Sequence, residues 1–181
     1  MANFNLCFNQ FVIFNEDYDP PQYKAVPDPV KLDPAKHAPE ECNIALQAHA
    51  ISGINSYFWP KEFADIEAIP QAQRGPAVAN FYRVNFWNKW LEAMSSNRLA
   101  AMTLDSSVNQ GAVWAVRFLQ GATGSEVDGM WGPNTVAAAN AADLDNAVNS
   151  FIGLRKARYT QVGGPSLDAW LARAEKIPSF S

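Results

Sequence analysis

The chain is poor in the residues that build metal centres, disulfide scaffolds and nucleic-acid surfaces. Its 181 residues include only two cysteines and two histidines. Cys7 and Cys42 stand in no CxxC or Cys/His spacing suited to zinc and make no disulfide framework. They read as plain buried thiols, with a single bridge as the alternative. His37 and His49 are isolated, each a surface or locally satisfied polar group, and nothing frames a nucleophile elbow such as GxSxG. Basic residues number 14 against 18 acidic ones, for a formal net charge of −4, and no stretch concentrates them. That removes the electrostatic footprint of a nucleic-acid binder. No run of about 18 apolar residues offers a membrane span. No cation precedes Lys24, so the apolar FNLCFNQFVIF has no basic n-region and does not read as a Sec-type signal. Synthesis in the cytoplasm without a leader is the expectation.

What is present is apolar and helical in pattern. A hydrophobic content of 48% over this length supports a substantial core. Phe4, Cys7, Phe8, Phe11 and Phe14 recur at spacings of three or four, the stripe of one helix ending at Asn15-Glu16-Asp17. Residues 20–39 hold six of the twelve prolines, and this loop is long enough to suggest a functional role. EECNIALQAHA has helical composition, KEFADIEAI follows Pro60 as a short helix, and GPAVANFYRVNFWNKWLEAM starts a stronger one at Pro76 with Val78, Phe81, Tyr82, Asn85 and Phe86 on one side. NRLAAMTLDSSV and NQGAVWAVRFLQGA predict two more, with Gly111 permitting close approach. Others are expected at NTVAAANAA, DNAVNSFIGLRKARYTQV and SLDAWLARAEK. Only AVP and SYFW suit strands, so the fold class is mainly α with at most a small β-hairpin. In DGMWGPNT, Asp128-Gly129 predicts a turn, Met130 and Trp131 are expected to fold back on the preceding helix, and Pro133 opens the next.

Several motifs occur in a telling order: YRVNFWNKW, then LDSSVNQG, then AVRFLQGATG, then VDGMWGPNT. Together, over residues 78–160, they resemble the N-acetylmuramidases of glycoside hydrolase family 108. In that family a YRxxYW helix precedes fDxaVNxG, AxxxLQxalG and DGxxGpxT. The resemblance implies a lysozyme-like helical domain. It implies a catalytic part over 1–108 with the Pro-rich loop 20–39, and a C-terminal helical part over 109–181 with a peptidoglycan-binding-type motif, packed as one globular unit. The family's EGGY motif matches FNEDY here, so Glu16 takes the place of the catalytic acid, and Gly53-Ile54-Asn55 matches its GIT turn. Both glycines of EGGY are absent, and the DPGGxT run is replaced by a Pro-rich insertion.

Cleavage of a glycosidic bond needs a proton donor and, opposite it, a nucleophile or an activated water. Glu16, at a helix end among aromatics, is the donor, and burial there would raise its pKa. Asp19, Asp28 and Asp33 are the loop carboxylates available as its partner, and Asp28 is taken by position. Tyr18, Asn55, Tyr82, Asp105 and Asn109 are the substrate-binding candidates. For Asp105 and Asn109 the competing roles are hydrogen bonding to local backbone and capping the following helix. Neither metal nor organic cofactor is called for. The expected partner is the peptidoglycan glycan strand, reached after holin-dependent release or specialised secretion, and any immunity or export partner is unidentified. The alternative function is a non-catalytic peptidoglycan-binding or structural protein on the same scaffold.

Overall fold

The computed structural model describes residues 1–16 and 21–180. The molecule is mainly α-helical with one small antiparallel sheet. Two compact units divide it: Met1–Val12 with Arg83–Ser181, and Ile13–Tyr82. Among the described residues no helix is long and apolar enough to cross a membrane.

The first unit is organised around one buried helix. After α1 (Phe4–Cys7) and a π-helical turn (Phe8–Val12), the chain returns through α6 (Lys89–Glu92), α7 (Asn97–Gln110), α8 (Ala112–Thr123), α9 (Pro133–Ala141), α10 (Leu144–Val162) and α11 (Leu167–Ala174). Every residue of α7 from Leu99 to Ser107 is buried, because α1, the π turn, α6, α8 and α10 all pack on it. Small side chains at Ala100, Ala101, Ser106 and Ser107 allow that. Ser96 starts the helix, its Oγ accepting from the Leu99 amide at 3.2 Å. Gly111 ends it with φ +86°, and a Cβ there would meet nothing within 4 Å. The glycine is needed for its backbone angle and not for close approach.

The second unit carries α2 (Ile13–Glu16), β1 (Ala25–Pro27), α3 (Pro39–Leu46), β2 (His49–Ile51), β3 (Ile54–Asn55), α4 (Pro60–Glu67) and most of α5 (Gly75–Asn85). Its sheet runs β1-β2-β3, with Ala25 opposite Ile51, Pro27 opposite His49 and Ile51 opposite Ile54. Pro27 lies on an edge strand, where a missing amide donor is tolerated. Ile51 and Ile54 are fully buried. Arg74, only 9% exposed, gathers carbonyls from Ile69, Tyr23 and Glu67 at 2.7–3.0 Å and so ties the approach to β1 to the end of α4.

Several expectations are corrected. The helix expected through His49 ends at Leu46, and His49-Ala50-Ile51 is the central strand. SYFW is not a strand but a turn leading into α4. The single helix expected from Pro76 to Met94 is two, because Asn88 takes an extended conformation and its Oδ1 caps Trp90 and Leu91. The N-terminal helix contains the π turn, which shifts the phase of the apolar stripe, so that Val12 and Ile13 are both buried at 2% exposure or less. Cys7 and Cys42 are free thiols. Burial pushes the Cys7 thiol up to about 12.

Candidate functional site

The β2–β3 connection is two residues, Ser52 and Gly53, with φ +49° and +78°. Two positive φ angles are what a type I′ hairpin turn requires, and glycine supplies the second at no steric cost. The Tyr82 hydroxyl, on α5, donates to the Ser52 carbonyl at 2.6 Å and pins this turn. Glu16 closes α2 directly over it. A Cβ added to Gly53 would collide with Glu16 Oε2 and stand 2.9 Å from Tyr82 Oη. Only a glycine leaves room for the half-buried carboxylate.

Glu16 and Asp28 line one open cavity of about 370 Å³, together with Lys24, Val26, Ser52 and Gly53. Lys24, Val26 and Asp28 alternate along β1 and its flanks, so the period of two sets all three on one face. That period was available in KAVPD once AVP was read as a strand, and it would have found Lys24, which the motif comparison missed. Asp28 is fixed from below. The Asn55 amide nitrogen donates to the Asp28 carbonyl at 2.9 Å and to its Oδ2 at 2.7 Å, while Asn55 Oδ1 accepts from the Tyr57 amide at 2.8 Å. Asn55 is 5% exposed, so what it contacts is Asp28 and the turn after β3. The Asp28 amide in turn donates to Ala48 at 2.9 Å, attaching the loop to the sheet.

The other described candidates do not line this cavity. Tyr82 is 1% exposed, with its ring edge-on to Phe81, and serves the hairpin through its hydroxyl. Tyr18 and Asp19 lie outside the described residues. Asp33 accepts from the Ala35 amide at 2.9 Å in a local turn and pairs with Lys36 at 3.1 Å. His37 sits 3.2 Å from Glu41, and His49 Nδ1 lies 3.0 Å from the Gln47 carbonyl.

In the first unit Asp105 is fully buried. It forms ion pairs with Arg155 and, at 2.6 Å, with Arg173. Burial alone would raise its pKa, but the charges of Arg173 and Arg155 outweigh it and hold the carboxyl below the usual range. These arginines lie 50 and 68 residues away in sequence, too far for a local reading of the motif to find them. Asn109 Nδ2 donates to the Asp105 carbonyl at 2.8 Å. The cap position of α8 is Gly111, two residues after Asn109.

The DGMWGPNT loop is held by Gln120, the Gln of LQG. Its Oε1 accepts from the Gly129 amide at 2.8 Å. Its Nε2 faces Asp128 Oδ1 at 2.7 Å, the Met130 carbonyl at 3.1 Å and Thr135 Oγ1 at 3.2 Å, three acceptors for two protons. Asp128 Oδ1 also accepts from the Met130 amide at 2.8 Å, and these bonds, backbone first, lower its pKa. Gly129 has φ +78°, and a Cβ would stand 2.9 Å from Val113 Cγ1, so any other residue would be strained here. Met130 does not fold back: it is 66% exposed.

Among the described residues no group of three or more His, Cys, Asp or Glu gathers as metal ligands. The fold is similar to that of SagA from Brucella abortus, with a TM-score of 0.50 and 22% identity over 74% of this chain and 83% of that one. At that identity the likeness speaks to the fold alone. No protein-family model matches the chain, and no curated protein matches it in sequence.

Proposed function

We propose that the chain is a peptidoglycan-degrading N-acetylmuramidase, a lysozyme-type glycosidase that cuts between N-acetylmuramic acid and N-acetylglucosamine. The observation that carries this reading is the shared cavity of Glu16 and Asp28. Two carboxyl groups facing one open cavity are the minimum apparatus of glycoside hydrolysis. The ordered motifs from YRVNFWNKW to DGMWGPNT, which resemble glycoside hydrolase family 108, support it further.

In this scheme Glu16 donates its proton to the glycosidic oxygen as the bond to the anomeric carbon breaks. Asp28, oriented by Asn55, serves the opposite face of the sugar, as base toward water or as nucleophile. Gly53 leaves room for the Glu16 carboxyl group against the hairpin, and Lys24 lines the same cavity. Polar groups on the strand face supply hydrogen bonds to sugar hydroxyls and acetamido groups. The test is the appearance of new reducing ends when purified protein is incubated with sacculi. Glu16→Gln removes the transferable proton and keeps the shape, and should lower the rate by roughly 10²- to 10⁴-fold. A wild-type protein that sediments with sacculi and releases nothing would instead be a binding protein on the same scaffold.

A further inference from the structure

We propose that a second cavity, built by the first unit, binds a ring-bearing carboxylate. It measures about 280 Å³ and is lined by Asn109, Gln110, Arg158, Tyr159, Val162 and Trp170. Arg158, Tyr159 and Val162 share one face of α10 through their spacing of three and four, Asn109 and Gln110 end α7, and Trp170 comes from α11.

Two proton donors reach this region without a partner among the described residues: Tyr159 Oη, on a side chain only 5% exposed, and Gln110 Nε2. Buried polar groups are almost always paired, so unpaired ones at a cavity wall mark what the cavity is shaped to receive. Both can donate, which calls for an acceptor. The charge nearby calls for an anion. Arg158 lines the cavity, and Arg155, three residues earlier and fully buried, has Nε and Nη1 unpaired among the described residues. The Arg155 guanidinium lies 5.8 Å from the centre of the Tyr159 ring. Asp105 is shared between Arg155 and Arg173, so Arg155 does not have that carboxylate to itself. Arg158 is steadied over Trp114 at 4.4 Å and by Gln161 at 3.1 Å, which leaves most of its five N–H groups for a ligand. Finally, Tyr159 and Trp170 stack at 5.5 Å and 24°, giving the flat wall against which a sugar or aromatic ring packs.

A carboxylate on a ring satisfies all three features, whether it comes from a sugar acid or an aromatic acid. The inference uses neither Glu16 nor Asp28, and of the sugar-binding candidates only Asn109 lines this cavity, so it stands or falls separately. It is tested by titrating the isotopically labelled full chain with glucuronate, glucose, benzoate and acetate, followed by NMR. Saturable shifts of the Gln110 side-chain amide and the Trp170 indole are expected with glucuronate or benzoate, and the tighter of the two identifies the source. Glucose, with a ring and no carboxylate, and acetate, with a carboxylate and no ring, should bind at least about tenfold more weakly. Tyr159→Phe and Gln110→Leu should each weaken binding about tenfold without lowering the melting temperature, since Tyr159 Oη and Gln110 Nε2 bond to no other group among the described residues. Arg158→Gln, at a half-exposed position, should erase the preference of glucuronate over glucose even if a buried variant folds poorly. The proposal is overturned if neither acid gives a saturable shift, if glucose or acetate binds as well as the tighter acid, or if Arg158→Gln leaves the preference for that acid intact.

Discussion

Asp105 is a residue on which stability depends. It is fully buried and the shared partner of Arg155 and Arg173. Replacing it with Asn leaves both guanidiniums facing a neutral amide, and breaking a buried pair by removing one member costs about 3–5 kcal/mol. Urea denaturation of Asp105→Asn should show a loss of that size at neutral pH. The pH dependence follows from the depressed carboxyl pKa. A group depressed in the folded state contributes fully above its unfolded value of about 4 and loses that contribution as pH falls through the folded value. Melts from neutral pH downward should therefore show a stability loss below about pH 4 in the wild type, one component of which is missing in Asp105→Asn. At the other unit, Gly53→Ala sets a Cβ against Glu16 Oε2 at φ +78°. The backbone cost is about 1–2 kcal/mol, yet the carboxylate itself must move. Reducing-end release should fall about tenfold or more while the protein stays folded, and unchanged release would separate Gly53 from the work of Glu16.

At the scale of elements, the sequence was most readable where a local rule decides the outcome. Pro60 and Pro133 open α4 and α9 as expected, and AVP is a strand, whereas Gly111, expected inside a helix, instead separates α7 from α8. It was least readable where partners distant in sequence decide. HAI looks helical in composition but is drawn into the sheet by pairing with Ala25-Val26-Pro27 on one side and Ile54-Asn55 on the other. The DGMWGPNT loop shows both sides of this. Its turn was legible from Asp128-Gly129, but its anchor was not, because Gln120 lies inside α8 and looks like any polar helix residue. Gln120 is 1% exposed and bonds four groups of the loop and of α9. Gln120→Leu, close in volume, strands those groups. The expected cost is about 1–3 kcal/mol, with faster limited proteolysis between Val127 and Gly132. A resistant loop would mean that Asp128 and Gly129 hold the turn alone.

For the molecule as a whole, the motifs located one carboxylate by resemblance and the other by position, and the fold sets Glu16 and Asp28 on one cavity. What the sequence could not convey was how each is held. Tyr82 and Asn55 stood out as sugar-binding candidates, and they are instead the groups beneath the hairpin turn and beneath Asp28. Position in a motif marks a residue near the chemistry, and only its hydrogen bonds say whether it faces substrate or another side chain. The glycosidase reading is tested most directly by mass spectrometry of the soluble products from sacculi incubated with wild type and with Glu16→Gln. The account predicts muropeptides ending in reducing N-acetylmuramic acid from the wild type and almost none from the variant. Products ending in reducing N-acetylglucosamine, products equally abundant from Glu16→Gln, or no soluble product from the wild type would contradict it.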